Sequence, residues 1–188
     1  MAKTNGTGTD KTETNGAETD LQLDLMVEAA PWRELPQLDQ RVQRAALAAL
    51  QTARSEQSRS LILQGPCAIT VKLSDDATVQ QLNQRFRGKD QPTNVLSFPF
   101  ENAFPQLAAE QFDGPSPLGD LILACQTVWR EAGEQGKPID HHLAHLVVHG
   151  VLHLLGYDHQ ETAPAEHMEH LEELALATLG IGSPYRCA

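Results

Sequence analysis

His149-Gly150-Val151-Leu152-His153-Leu154-Leu155-Gly156-Tyr157-Asp158-His159 is the stretch on which the reading of this chain turns. The residues leading through it, from Ile139 to Leu155, carry Leu143, Leu146, Val147, Val151, Leu152 and Leu154. They spread too widely for a single apolar stripe, so the segment is expected to be a central, largely buried helix. His149 and His153 stand four apart, which puts both imidazoles on one helical face about one turn from each other, close enough to share a metal ion. Gly156 can take the left-handed conformation that closes a last turn. Three residues later the chain can bring His159 back toward the same point.

Three neutral imidazoles suit zinc and leave a fourth tetrahedral position for water or substrate, the mark of a catalytic site. A structural site would more often be closed by a fourth ligand, usually cysteine, and this stretch contains none. The plainer alternative is three unrelated histidines. Against it, a buried imidazole without a partner is costly, and two on one helical face both need partners. His145, one turn before His149, is a candidate proton carrier or partner of a ligand. His141, His142, His167 and His170 are expected at the surface. Asp158 is equally suited to orienting a ligand imidazole or stabilising the turn.

The 188 residues allow one domain with a sizeable core, expected over 21–188 behind a disordered tail at 1–20 that has Met1 as its one large apolar residue. Wholly apolar runs such as Leu121 to Cys125 are far too short to cross a membrane. The N-terminus has no secretory pattern, so the cytoplasm is the expected compartment. Cys67, Cys125 and Cys187 suggest neither a disulfide framework nor a zinc ribbon, and the first two are expected to be buried strand residues. With 25 acidic and 14 basic residues the net charge is -11. That balance argues against binding nucleic acid through the whole surface, and no DNA partner is expected. Any polyanion must meet a local basic patch.

The fold expected is α+β: a small mixed sheet of about four strands packed with about five helices, the histidine helix central. Leu21–Val27 alternates apolar and polar residues as a strand does. Leu38, Val42, Ala46, Ala49 and Leu50 mark a first helix, and Ala68–Leu73 a second strand. Ser74 offers a cap for a second helix with Val79, Leu82 and Phe86 on its inner face, ended by Gly88. Strands follow at Thr93–Phe98 and Leu118–Ala124, either side of an irregular connection over 99–117. A helix after Cys125, running to Ala132, precedes the histidine helix. The last helix, about Ala165 to Leu179, turns Met168, Leu171, Ala175 and Leu179 inward and Glu169, Glu172 and Glu173 to solvent. The first three strands, separated by helices, are expected to pair in parallel, and the last two as an antiparallel pair.

A second constellation, Arg85-Phe86-Arg87-Gly88-Lys89-Asp90-Gln91-Pro92-Thr93-Asn94-Val95-Leu96-Ser97-Phe98, concentrates three cations at a helix end in an acidic chain. Guanidinium groups donate two parallel hydrogen bonds to phosphate, and Lys89 adds a point charge. Cations at a helix C-terminus also complement its dipole, and this stretch alone leaves both readings open.

Together the two stretches resemble the YbeY family of bacterial zinc-dependent single-strand endoribonucleases. The histidine stretch follows the family pattern His-Gly-x-Leu-His-Leu-x-Gly-Tyr-Asp-His, the run from Arg87 to Phe98 follows its second signature, and Gly119-Asp120-Leu121 its strand. The resemblance spans roughly Leu21 to Tyr185. It implies one zinc ion held by His149, His153 and His159, with Arg87 and His149 as catalytic residues. It implies single-stranded RNA as substrate, in particular the small-subunit ribosomal RNA precursor at its 3′ end, and work with the small ribosomal subunit in biogenesis and quality control. The connection over 101–116 looks longer than is usual in the family, and the tail is extra.

Two other functions share these features. His-x-x-x-His-x-x-Gly-x-x-His is also the ligand spacing of metzincin peptidases, which place a glutamate general base directly after the first histidine, where this chain has Gly150. A non-catalytic assembly factor with structural zinc and a docking patch would look alike in sequence.

Overall fold

Alternation at Leu21–Val27 does form a strand, β1, whose Leu21 is buried while Gln22, Asp24 and Met26 face outward. The computed structural model describes residues 20–56, 65–100, 114–158 and 162–185. The expected tail, apart from Asp20, therefore lies outside the described residues, as do 101–113 of the long connection and His159. After β1 a short 3-10 turn at Ala30–Glu34 leads to α1 (Leu38–Ser55), β2 (Cys67–Ser74) and α2 (Asp76–Arg87). Then come β3 (Val95–Pro99), β4 (Ser116–Ala124), α3 (Cys125–Glu134), α4 (Ile139–Leu154) and α5 (Thr162–Thr178). Among the described residues this is an α+β fold with one mixed four-stranded sheet and five α-helices. No described helix is long and apolar enough to cross a membrane.

The sheet runs in the order β1-β2-β4-β3: the parallel β1–β2 and antiparallel β3–β4 pairs are as expected, but β3 does not join β2 in parallel. β1 and β2 are parallel, but β4 inserts between β2 and β3, parallel to the first and antiparallel to the second. Burial explains the exchange. Leu121, Leu123 and Ala124 of β4 are fully buried and Ile122 nearly so, which suits a strand covered on both faces, whereas five-residue β3 ends exposed at Pro99 and takes the edge. Gly119 permits that edge pairing. Its φ of +131° is foreign to L side chains, and a Cβ there would lie 2.2 Å from the Phe98 carbonyl oxygen. Cys67 lies in a strand as expected, and Cys125 instead opens α3; both are buried.

One sheet face carries the main core, where α1, α4 and α5 converge. α4 is enclosed along most of its length: Leu143, Val147, Val151, Leu152 and Leu154 are each at most 1% exposed. Each such side chain contributes roughly 1.5–3 kcal/mol by leaving water. Gly150 lets α4 lie close on the sheet: a Cβ there would lie 2.8 Å from Leu121 Cδ2, and its carbonyl accepts from the Ser97 hydroxyl at 3.3 Å. The opposite face has a smaller core of Val79, Leu96, Ile122 and Ala124 beneath α2, flanked by Leu82 and Phe98. Asp75, not Ser74, caps α2, accepting from the Thr78 amide at 2.8 Å; that bond holds its carboxyl below the usual range.

Candidate metal and phosphate site

The C-terminus of α4 closes in a way that places His153. Gly156 has φ +79°, its amide donates to the His153 carbonyl at 2.9 Å, and the Tyr157 amide reaches back to the Leu152 carbonyl at 3.0 Å. This is the paired closure that a left-handed glycine allows. It turns the Tyr157 carbonyl onto His153 Nδ1 at 3.0 Å. A carbonyl only accepts, so Nδ1 carries the hydrogen and neutral His153 keeps its lone pair on Nε2. The Tyr157 ring packs inside, its hydroxyl bonded to Glu56.

His149 is fixed by a residue that the sequence reading placed in solvent. Glu172 of α5 is 1% exposed, and its Oε1 lies 2.8 Å from His149 Nδ1. Its Oε2 lies 2.8 Å from His145 Nε2 and also accepts from the Tyr185 hydroxyl. Burial works to raise the Glu172 pKa. The hydrogen bonds it accepts from His145, His149 and Tyr185 outweigh it and hold the group down at about 2. An ionised carboxylate accepts only, so His149 also carries its hydrogen on Nδ1 and turns a lone pair out through Nε2.

The two Nε2 atoms are 3.1 Å apart. Two acceptors at that distance repel unless an electron-pair acceptor, a proton or a metal ion, lies with them. Two nitrogens bound to one tetrahedral zinc at 2.0–2.1 Å stand roughly 3.3 Å apart, so this donor pair fits a single ion. The preference of zinc for imidazole, and ligand rings steered through their other nitrogen by a carboxylate and a carbonyl, fit it as well.

His149 and His153 open into a cleft of about 710 Å³ whose lining also includes Arg87, Asn94, Ser97 and Asp158. Arg87 arrives as the last residue of α2, where the Gly88 amide donates to the Gln84 carbonyl at 3.1 Å and φ of +69° turns the chain. The loop after it is tied down by Asn83, donating to the Gln91 carbonyl at 2.7 Å, and by Gln80, donating to Asp90 at 2.9 Å. Asn94 is held against Glu131 at 3.0 Å. The cleft therefore brings two imidazole acceptors and Arg87 onto one lining. Asp158 is exposed at its rim.

Of the residues read from sequence, Arg87, His149 and His153 share one cleft, and His159 lies outside the described residues. His145 is held by Glu172, as a partner of the site would be. His142, expected at the surface, is buried with Nε2 3.0 Å from Glu131 Oε2. Burial pushes its pKa down against the pull of Glu131. Glu172 and Tyr185 are what the sequence reading missed. A signal for Glu172 was available: it falls four residues after Met168 and three before Ala175, on the stripe that α5 buries.

A protein-family model described as Endoribonuclease YbeY matches residues 33–180. A protein named Endoribonuclease YbeY from Rhodopseudomonas palustris (strain CGA009) is 45% identical over 179 residues, covering 91% of this chain and 90% of its own length. One of the same name from Bradyrhizobium sp. (strain BTAi1) is 44% identical over 162 residues, covering 86% of this chain and 90% of its own. A third, from Alkalilimnicola ehrlichii, is 56% identical over 123 residues, 65% of this chain and 70% of its own.

Proposed function

The chain belongs to the YbeY endoribonuclease family, and from that premise we propose that it cuts single-stranded RNA with zinc, maturing the 3′ end of small-subunit ribosomal RNA. The observation that carries the reading is the pair of Nε2 atoms 3.1 Å apart, each fixed as an acceptor, in one cleft with Arg87. In this reading His149 and His153 hold one zinc ion and His159 completes the set. Zinc, when bound, supplies Lewis acidity toward a phosphodiester oxygen and toward water.

Arg87 donates to the non-bridging oxygens of the scissile phosphate and stabilises the charge that builds there in the transition state. Glu172 and the Tyr157 carbonyl keep the hydrogens of His149 and His153 on Nδ1, so that both Nε2 lone pairs stay directed at the ion. A net charge of -11 repels polyanions from the body of the protein and leaves the cleft as the place where RNA is met. Ribosome biogenesis and quality control, with the small ribosomal subunit as partner and the cytoplasm as compartment, follow from this reading. A metzincin-like peptidase would need a glutamate at position 150, where this chain has a glycine packed against Leu121.

Incubation with single-stranded RNA and, separately, with casein tests the reading. RNA is expected to be cut, the cutting to stop on chelation and to return with about one equivalent of zinc, and casein to stay intact. Cleavage of RNA that survives exhaustive chelation would refute the zinc dependence.

A further inference from the structure

Helical spacing predicts Phe86 on the inner face of α2 with Val79 and Leu82, yet the residue is 57% exposed, while Val79 is fully buried. Phe86 has company on its flanks. The Phe98 ring meets it edge to face, centroids 5.2 Å apart at 71°, and the Arg85 guanidinium stands 5.1 Å from its centroid. Phe98 lies on β3 between Ser97 and Pro99, and those two line the cleft. Strand alternation therefore puts Phe98, and Phe86 with it, on the other side of the edge strand from the histidines. Arg87, the next residue along, reaches the cleft from there.

The charges around the ring decide what it suits. Arg41, Arg54, Lys72 and Arg130 are each paired with a carboxylate. Arg85, Arg87 and Lys89 make no ion pair among the described residues, in a chain with a net charge of -11. The acid closest in sequence, Asp90, accepts from Gln80. An apolar protein partner laid on Phe86 would bury these cations without partners, at a cost. A strand of nucleotides offers both halves at once: a base face for the ring and phosphates for the cations.

We propose that Phe86 is a stacking platform for one base of a single-stranded RNA, held beside the cleft while Arg85 and Lys89 neutralise its flanking phosphates. The proposal rests on the ribonuclease reading above. The strand crosses the edge of the sheet at β3, so the stacked base is a neighbour of the nucleotide being cut and not that nucleotide itself. A duplex keeps its base faces covered by stacking, so the platform selects for single strands without reading sequence.

Single-turnover cleavage of a single-stranded RNA by the zinc-loaded full chain, followed over a range of enzyme concentrations, tests this. Phe86→Ala is expected to raise the half-saturating concentration about tenfold, within the range seen when stacking aromatics are removed. The maximal rate should move far less, and Phe86→Trp should bind at least as tightly as wild type. One abasic position near the cut should weaken wild type to the same degree and add little to Phe86→Ala, a coupling that a general loss of stability would not produce. A half-saturating concentration for Phe86→Ala within twofold of wild type, or Phe86→Trp as weak as Phe86→Ala, overturns the platform while leaving the ribonuclease reading intact. Absence of zinc-dependent RNA cleavage by the wild type overturns both.

Discussion

Replacing Glu172 by glutamine is expected to weaken zinc binding about 10- to 100-fold, although the side chain keeps its size. The reason is the direction of three hydrogen bonds. His149 Nδ1, His145 Nε2 and the Tyr185 hydroxyl all present hydrogens to the carboxylate. An amide has one accepting oxygen and one donating nitrogen, so at least one partner is left facing a donor. If the nitrogen faces His149, that ring must move its hydrogen to Nε2 and give up the lone pair meant for the ion. If it faces His145 and Tyr185, two donors in a buried site lose their acceptor and the support behind His149 loosens. Competition with a zinc chelator of known affinity measures the loss without any appeal to activity. Glu172→Gln with wild-type affinity would mean that the carboxylate does not set the ligand.

The same carboxylate has a pH signature. Its folded pKa, about 2, lies below its ordinary 4.5, so the stability it contributes is complete above pH 4.5 and is lost as pH falls through about 2. Near neutrality it stays ionised.

Arg87→Ala is expected to slow single-turnover cleavage of single-stranded RNA by about 10²- to 10³-fold, the effect of removing a donor aimed at developing oxyanion charge. Zinc content should not change, because Arg87 belongs to α2 and takes no part in the network behind the histidines. Arg87→Lys should recover only part of the rate, since an ammonium restores charge but not the two-pronged contact with phosphate. If Arg87→Ala binds RNA poorly but cuts at the wild-type rate when saturated, the residue is a docking cation only. In the expected outcome Arg87 and Phe86 separate cleanly in kinetics, one acting on rate and the other on binding.

The histidine helix was legible because its signals are local. Its apolar residues surround the axis, its two histidines stand four apart, and the glycine after it closes the last turn as its type allows. The expected limits, Ile139 to Leu155, differ from the observed Ile139–Leu154 by one residue. The cation cluster was equally local, and Arg87 does reach the cleft. Less accessible were features set by distant partners. Polarity assigned Glu172 to solvent, but it is buried because histidines 23 and 27 residues earlier in the chain present hydrogens to it. His142 was misplaced for the same reason, being buried against Glu131 on another helix. Phe86 erred in the opposite direction: its spacing is that of a core residue, yet it is 57% exposed with the Phe98 ring of the edge strand at its flank. Strand order was lost because β4 displaces β3 from the middle of the sheet by being longer and more apolar, a competition that no single window of sequence displays.

The account depends on His149 and His153 sharing one ion, and the direct test is the zinc content of the purified chain after equilibration with excess zinc and removal of what is loosely held. Elemental analysis is expected to find about one zinc per chain in the wild type and far less in His149→Ala and in His153→Ala, both still folded by circular dichroism. A full equivalent of zinc retained by either folded variant would contradict it.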